Sequence, residues 1–205
     1  ISTTLGNIVE QAPISFTSDG NSIATSYLLK NNELQFQFDE KPSFFARRNQ
    51  ITLDPGLIFS TYSGSVADNF GYTATYDLDG NGYAGGSVFT FGFPVTTGAV
   101  QEVFNGGRMD IGISKYNPNG TARIYTTYVG GNGEDHPHSM IVNSKNELVV
   151  MGSSSSSNFP TTVNGFDTVI NNGVAGNFDI VLFKLNPVGT ELTSSTYLGG
   201  ANNDG

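Results

Sequence analysis

"DIGISKYNPNGT", residues 110–121, returns 69 residues later as "DIVLFKLNPVGT", residues 179–190. Alternation with a period of two puts Ile111, Ile113 and the ring of Tyr116 on a half-buried strand, and Ile180, Leu182 and, with one shift, Leu185 repeat it. "NPNGT" and "NPVGT" carry turn chemistry: the proline presets φ, and Gly120 or Gly189 supplies a positive φ. A strand, a turn and a following strand therefore occur twice, which marks a duplicated β-module.

The duplication extends in both directions. "IFSTYSG" (58–64), "IYTTYVGG" (124–131) and "TSSTYLGG" (193–200) align on Tyr62, Tyr128 and Tyr197, spaced by 66 and 69 residues. "FPVTT" (93–97) matches "FPTT" (159–162), and the three extra residues fall in "GVAGNF" (173–178), where they lengthen a loop. Each unit reads as four strands, in the first near 70–77, 82–89, 110–117 and 122–128, with the Tyr motif closing the last. The segments 96–107 and 161–173 are each expected to hold a short helical turn, from the spacing of Val100, Val103 and Phe104.

Four-stranded units with glycines and aromatics at fixed offsets predict an all-β chain, a partial β-propeller built of antiparallel blades. The repeats run 57–121 and 122–190, a third begins at 191–205, and all lie within a region 54–205. Residues 1–53 stand outside the repeat as a small β-rich leader, with Leu34, Phe36 and Phe38 on one face and a hairpin turn at Asn31-Asn32. "RRNQITLDPG" (47–56) is the junction, where Pro55 ends a strand. Open sheet edges invite pairing, so more blades are expected beyond Gly205.

Composition narrows the function. The 26 glycines, 15 Phe and 9 Tyr agree with β-structure, and a net charge of −9 repels a phosphate backbone, which argues against a nucleic-acid partner. With no cysteine there are neither disulfides nor thiolate metal sites. No run approaches the length of a membrane helix, and a chain beginning at Ile1 without a signal segment reads as an internal piece of a longer protein.

As an ordered set, "ITLDPGLIFSTYSGS", "YDLDGNGYAGGS", "FPVTTGAVQ", "DIGISKYNPNGT" and "STYLGG" resemble the SBBP (seven-bladed β-propeller) repeats of large bacterial surface proteins, and "TTLGNIVEQAPISF" (3–16) is similar to the leader that precedes them. "VNSKNELVVMGS" departs from the Asp/Ser-Gly-Asn hairpin usual there. The resemblance implies an exported protein at the cell surface, similar to gliding-motility-associated or type IX secretion cargo, with protein or glycan partners and contacts to secretion or outer-membrane machinery. It brings no catalytic residues.

The most site-like stretch is "DLDGNGYAGG" (77–86), where Asp77, Asp79 and Asn81 alternate as calcium-loop ligands do. The closing carboxylate is missing: the twelfth position is Val88 and the ninth is Gly85. Aligning Gly86 with Gly152 sets Asn143, Lys145, Asn146 and Glu147 under Asp77, Asp79, Gly80 and Asn81, so a lysine occupies a ligand position. Gly80 and Asn146 both accept left-handed backbone angles, so turn geometry explains both copies and calcium explains one.

Among other candidates, "EDHPHS" (134–139) brings His136 and His138 near Glu134 and Asp135, but Pro137 argues for a polar loop and zinc needs more ligands. Asp68, Asp135 and Asp204 follow each Tyr motif, and Asp110 and Asp179 open the third strands; recurrence marks structural carboxylates. The serines 153–157 read as a flexible loop. Asn119 and Thr168 fit N- and O-glycan acceptor patterns. The expected function is a non-enzymatic display, adhesion or binding module. A calcium-stabilised propeller and a propeller hydrolase or lyase are the alternatives.

Overall fold

The computed structural model describes residues 2–3, 6–7, 13–17, 20–31, 33–38, 51–54, 60–171 and 176–204. The chain divides into two units, Ile1–Ile58 and Phe59–Gly205.

In the first unit, β1 (Ser2–Thr3) pairs with β2 (Gly6–Asn7), and β3 (Ile14–Thr17) lies between β4 (Ser22–Ile23) and the last strand of the unit, Ile51–Asp54. That strand ends at the residue before Pro55, as the junction motif requires. The hairpin β5 (Thr25–Lys30) and β6 (Glu33–Phe38) pairs Leu29 with Leu34, Tyr27 with Phe36 and Thr25 with Phe38 in register, and Phe36 and Phe38 fall on one face as expected. Its turn uses Asn31 at φ 53. Ile51–Asp54 is β7, and the described residues of the second unit form eight strands.

Those eight form two antiparallel meanders. Sheet one comprises β8 (Asn69–Tyr76), β9 (Gly82–Val88), β10 (Asp110–Tyr116) and β11 (Arg123–Val129). Sheet two comprises β12 (Asp135–Val142), β13 (Leu148–Ser154), β14 (Asp179–Leu185) and β15 (Leu192–Leu198). The Tyr128 and Tyr197 motifs thus close their own sheets, and β15 is the fourth strand of sheet two. No helix occurs among the described residues, and none is long and apolar enough to cross a membrane.

The helical turns expected at 96–107 and 161–173 are β-turns instead, closed by Ala99 N to Thr96 O (3.1 Å) and Gly165 N to Thr162 O (2.8 Å). Their backbone is committed to the fourth strand. Thr96 N donates to Thr126 O, and Tyr128 N to Gln101 O; in sheet two Thr162 N donates to Ser195 O, and Tyr197 N to Asp167 O. The connection between strands two and three therefore covers the free edge of β11 and of β15, where unpaired amides would otherwise recruit another chain.

The two sheets stack on unlike faces. Tyr83, Ile111, Ile113, Tyr125 and Val129 of sheet one share a core with Met140, Leu148, Val150, Val181, Phe183 and Leu185 of sheet two. In the repeat alignment Ile111 and Ile113 correspond to Ile180 and Leu182, yet the core of sheet two is built from Val181 and Phe183. The expected alternation of Ile180 and Leu182 toward the core is therefore one residue out of phase; Leu182 lies on the partly exposed face. A head-to-tail contact requires this, because the two sheets meet through opposite faces of the repeat.

Gly86 and Gly152 occupy matched close approaches. A Cβ on Gly86 would lie 2.2 Å from Phe70 O, and one on Gly152 2.2 Å from His136 O. Each faces a bulge in the first strand, between Gly71 and Thr73 in β8 and between Pro137 and Ser139 in β12. Pro137 thus sits inside a strand and not in a loop, because an edge strand with a bulge tolerates a residue without an N–H.

Candidate functional site

The Asp77 turn meets β10 and the neighbouring sheet at one point. Asp77 Oδ1 accepts from Asp79 N (3.1 Å), Asn81 N (2.8 Å) and Asn81 Nδ2 (3.0 Å). Its Oδ2 accepts from Asn81 Nδ2 (2.9 Å) and the Tyr83 hydroxyl (3.1 Å), and lies 3.2 Å from Lys115 Nζ. Both charged side chains are buried. Burial alone would raise the Asp77 carboxyl, but the bonds from Asn81, Lys115 and Tyr83 outweigh it and hold the group below its usual range.

Lys115 also lies over the Tyr83 ring, 4.9 Å from its centroid, and donates to Pro187 O at 3.4 Å. Pro187 belongs to the "NPVGT" turn of sheet two, whose Gly189 has φ 72 and leaves room for the Tyr125 ring; a Cβ there would meet the ring at 2.4 Å. One buried cation therefore joins a turn of each sheet.

The second copy keeps the turn and moves the acid. Asn143 Oδ1 accepts from Lys145 N (2.9 Å) and Glu147 N (3.0 Å), the bonds that Asp77 makes at 79 and 81. Glu147 then meets Lys184 at 3.5 Å, and Lys184 aligns with Lys115. Gly80 has φ 81 and Asn146 φ 59, so the predicted left-handed position is present in both. The turns touch through Asn146 Nδ2 and Asp79 Oδ2 at 3.2 Å.

As calcium ligands, Asp77, Asp79 and Asn81 do not converge. The amide nitrogen of Asn81 faces Asp77, Asp79 turns to Asn146, and a cation at Asp77 would have to displace Lys115. The described residues contain no group of three or more His, Asp or Glu side chains placed to hold a metal. His136 Nε2 lies 3.8 Å from Glu134 and His138 Nε2 2.9 Å from Ser153 Oγ, each occupied separately. Burial lowers the pKa of His136 against the pull of Glu134.

Sequence reasoning missed the serines. Ser154 and Ser156 are buried and both hydroxyls bind Asp135, Ser156 Oγ to Oδ2 at 2.8 Å, while Gly131 N donates to the same oxygen at 2.8 Å. The run 153–157 is thus no flexible loop: Ser154 and Ser156 place their hydroxyls on one carboxylate, while Ser153, Ser155 and Ser157 bond to His138, Glu134 and Asn132; only the spacing 154, 156 could have signalled the carboxylate shell. The recurrent acids hold backbone. Asp110 Oδ2 accepts from Asn105 N and Asp179 Oδ2 from Asn171 N, both at 2.8 Å, and the Oδ1 of each is buried without a partner. Asn119 and Thr168 are exposed.

Burial, with the Asp135 carboxylate nearby, pushes the Asp110 carboxyl up to about 7 against its bonds from Asn105 and Gln101. Its unfolded value is near 3.8, so between about pH 4 and 7 the unfolded chain binds fewer protons and stability falls as pH rises. Asp110→Asn, which mimics the protonated acid, is expected to stabilise the protein by roughly 2 kcal/mol at pH 7.5 and to flatten that slope in urea titrations. A variant less stable than the parent at pH 7.5 would contradict this.

No family model matches the chain, and no curated protein matches it in sequence.

Proposed function

We propose that the chain is a non-enzymatic propeller segment of an exported bacterial surface protein, a rigid scaffold that presents loops and strand edges to protein or glycan partners. The observation that carries this reading is the equivalence of the buried polar groups. Tyr128 and Tyr197, Asp110 and Asp179, and the Asp77 and Asn143 turns each do the same backbone-holding work in both sheets. Catalysis asks for a group used once, in one cleft. Phe70, Tyr72 and Tyr76 on the edge strand β8 are exposed and supply aromatic surface of the kind that stacks on sugar rings or peptide side chains.

Proteinase K treatment of intact cells producing the native protein is expected to cleave epitopes in residues 60–204, and protection until lysis would remove the surface role. Calcium is tested on the purified chain. The scaffold reading expects the melting temperature in EDTA and in millimolar CaCl2 to agree within a degree; a fall of several degrees in EDTA would replace it with the calcium-stabilised alternative.

A further inference from the structure

Asn-Gly dipeptides stand at 81–82, 105–106, 119–120, 132–133, 164–165 and 172–173, the last outside the described residues. Such a pair cyclises readily, because glycine sets no side chain before its own amide nitrogen, and that nitrogen must swing onto the asparagine Cγ. The fold decides which pairs do so. A glycine N–H already engaged in a hydrogen bond is held away from the asparagine, and breaking that bond adds to the barrier.

Four of the described pairs are held in this way. Gly82 lies in the β9 ladder between Tyr76 and Tyr116, and Asn81 Nδ2 is tied to both Asp77 oxygens. Gly120 N donates to Asn117 O (3.0 Å), Gly133 N to Ser156 Oγ (2.8 Å) and Gly165 N to Thr162 O (2.8 Å). Gly106 differs. No hydrogen bond engages its N–H, its φ is 120, and nothing beyond the adjoining residues lies within 4 Å of where a Cβ would stand. Asn105 beside it is exposed.

The second copy supplies a contrast. Asn105 N and Asn171 N each donate at 2.8 Å to the acid that opens the third strand, Asp110 and Asp179, so the two asparagines are equivalent anchors. The residue that follows is Gly106 in one copy and Asn172 in the other, and a side chain at that place slows cyclisation.

We propose that Asn105-Gly106 is a self-modification site, at which the folded chain converts asparagine to aspartate and isoaspartate with water as the only co-reactant. Gly106 N gives up its proton and attacks Asn105 Cγ; the Cγ–Nδ2 bond breaks, and ammonia leaves with one proton more than the amide group held. Water then opens the five-membered imide at either carbonyl, leaving aspartate or, with the backbone rerouted through the side chain, isoaspartate.

The change falls on a sensitive point. Asn105 Nδ2 donates to Gly130 O at 3.1 Å, and a Cβ on Gly130 would meet Asp110 Oδ1 at 2.6 Å and Asp135 Oδ2 at 2.7 Å. A carboxylate at position 105 replaces that donor with an acceptor and brings a third negative charge to two buried acids. Conversion therefore loosens the connection that covers the free edge of β11, and the chain carries a chemical clock there.

The test incubates the full chain at pH 8 and 37 °C, folded and in unfolding urea, and follows the described Asn-Gly pairs by peptide mapping with tandem mass spectrometry. In the folded chain position 105 is expected to convert several times faster than 81, 119, 132 and 164, and in urea the five rates are expected to converge. Any of the other four leading in the folded chain, or an order that urea leaves unchanged, would overturn the proposal. The consequence has its own readout. Asn105→Asp is expected to melt below Asn105→Ala, since both lose the bond to Gly130 O and only the first adds charge. Melting of Asn105→Asp at or above Asn105→Ala would overturn the loosening.

Discussion

Gly152→Ala is expected to lower the melting temperature of the second unit by roughly 10 °C, the equivalent of about 3 kcal/mol or more in a unit of this size. The new Cβ would sit 2.2 Å from His136 O, a backbone atom that cannot rotate away. Relief requires β12 to leave β13 at the bulge, which would break the ladder that pairs Asp135 with Ser154 and His136 with Ser153. Gly86→Ala should behave alike through Phe70 O, whereas Gly98→Ala, with open space around it, would meet only the strain of φ 81. Equal melting temperatures for Gly152→Ala and the parent would mean that β12 is not bulged against Gly152.

Lys115→Met should be comparably severe, about 3–5 kcal/mol, because it strands a buried carboxylate. The sign with pH is diagnostic. Asp77 has its carboxyl held low in the folded chain, so the parent's gain from it is present above about pH 4 and is lost as pH falls through the folded value. The defect of Lys115→Met should therefore be largest at neutral pH and shrink as pH falls and the Asp77 carboxyl, left without its lysine, takes up a proton. Lys115→Met combined with Asp77→Asn should recover much of the loss, since both charges are then gone. A single variant costing under about 1 kcal/mol would show that the pair behaves as a solvated contact.

Strand order and turns were legible in the sequence, and for the same reason: both depend on residues a few positions apart. Asn-Pro-x-Gly fixes its own turn, as Gly120 at φ 67 and Gly189 at φ 72 show, and Asn146 could be matched to Gly80 by backbone tolerance alone. What stayed hidden depends on neighbours distant in the chain. Ile180 looks like Ile111 until the stacking direction is known, because the periodicity gives two faces and no preference between them. Ser154 and Ser156 look like a linker until Asp135 is seen beneath them. Pro137 looks like a strand breaker until the edge and the bulge are in view. The candidate ligands of the 77–81 loop were found, but the buried lysine that faces Asp77 lies 38 positions away, and nothing local announces it.

The two turns solve one electrostatic problem from different sides. Lys115 is matched by an acid at the first position of its turn, Asp77, and Lys184 by an acid at the fifth, Glu147, while asparagine fills the remaining position in each. A genetic crossover between the two copies inside that five-residue window would produce either asparagine at both positions, leaving a lysine unmatched, or acids at both, crowding one lysine with two negative charges. Exchange outside the window carries no such penalty. Unequal recombination in an array of these repeats should therefore leave recoverable descendants whose breakpoints avoid the turn, and its residues should be inherited as a block.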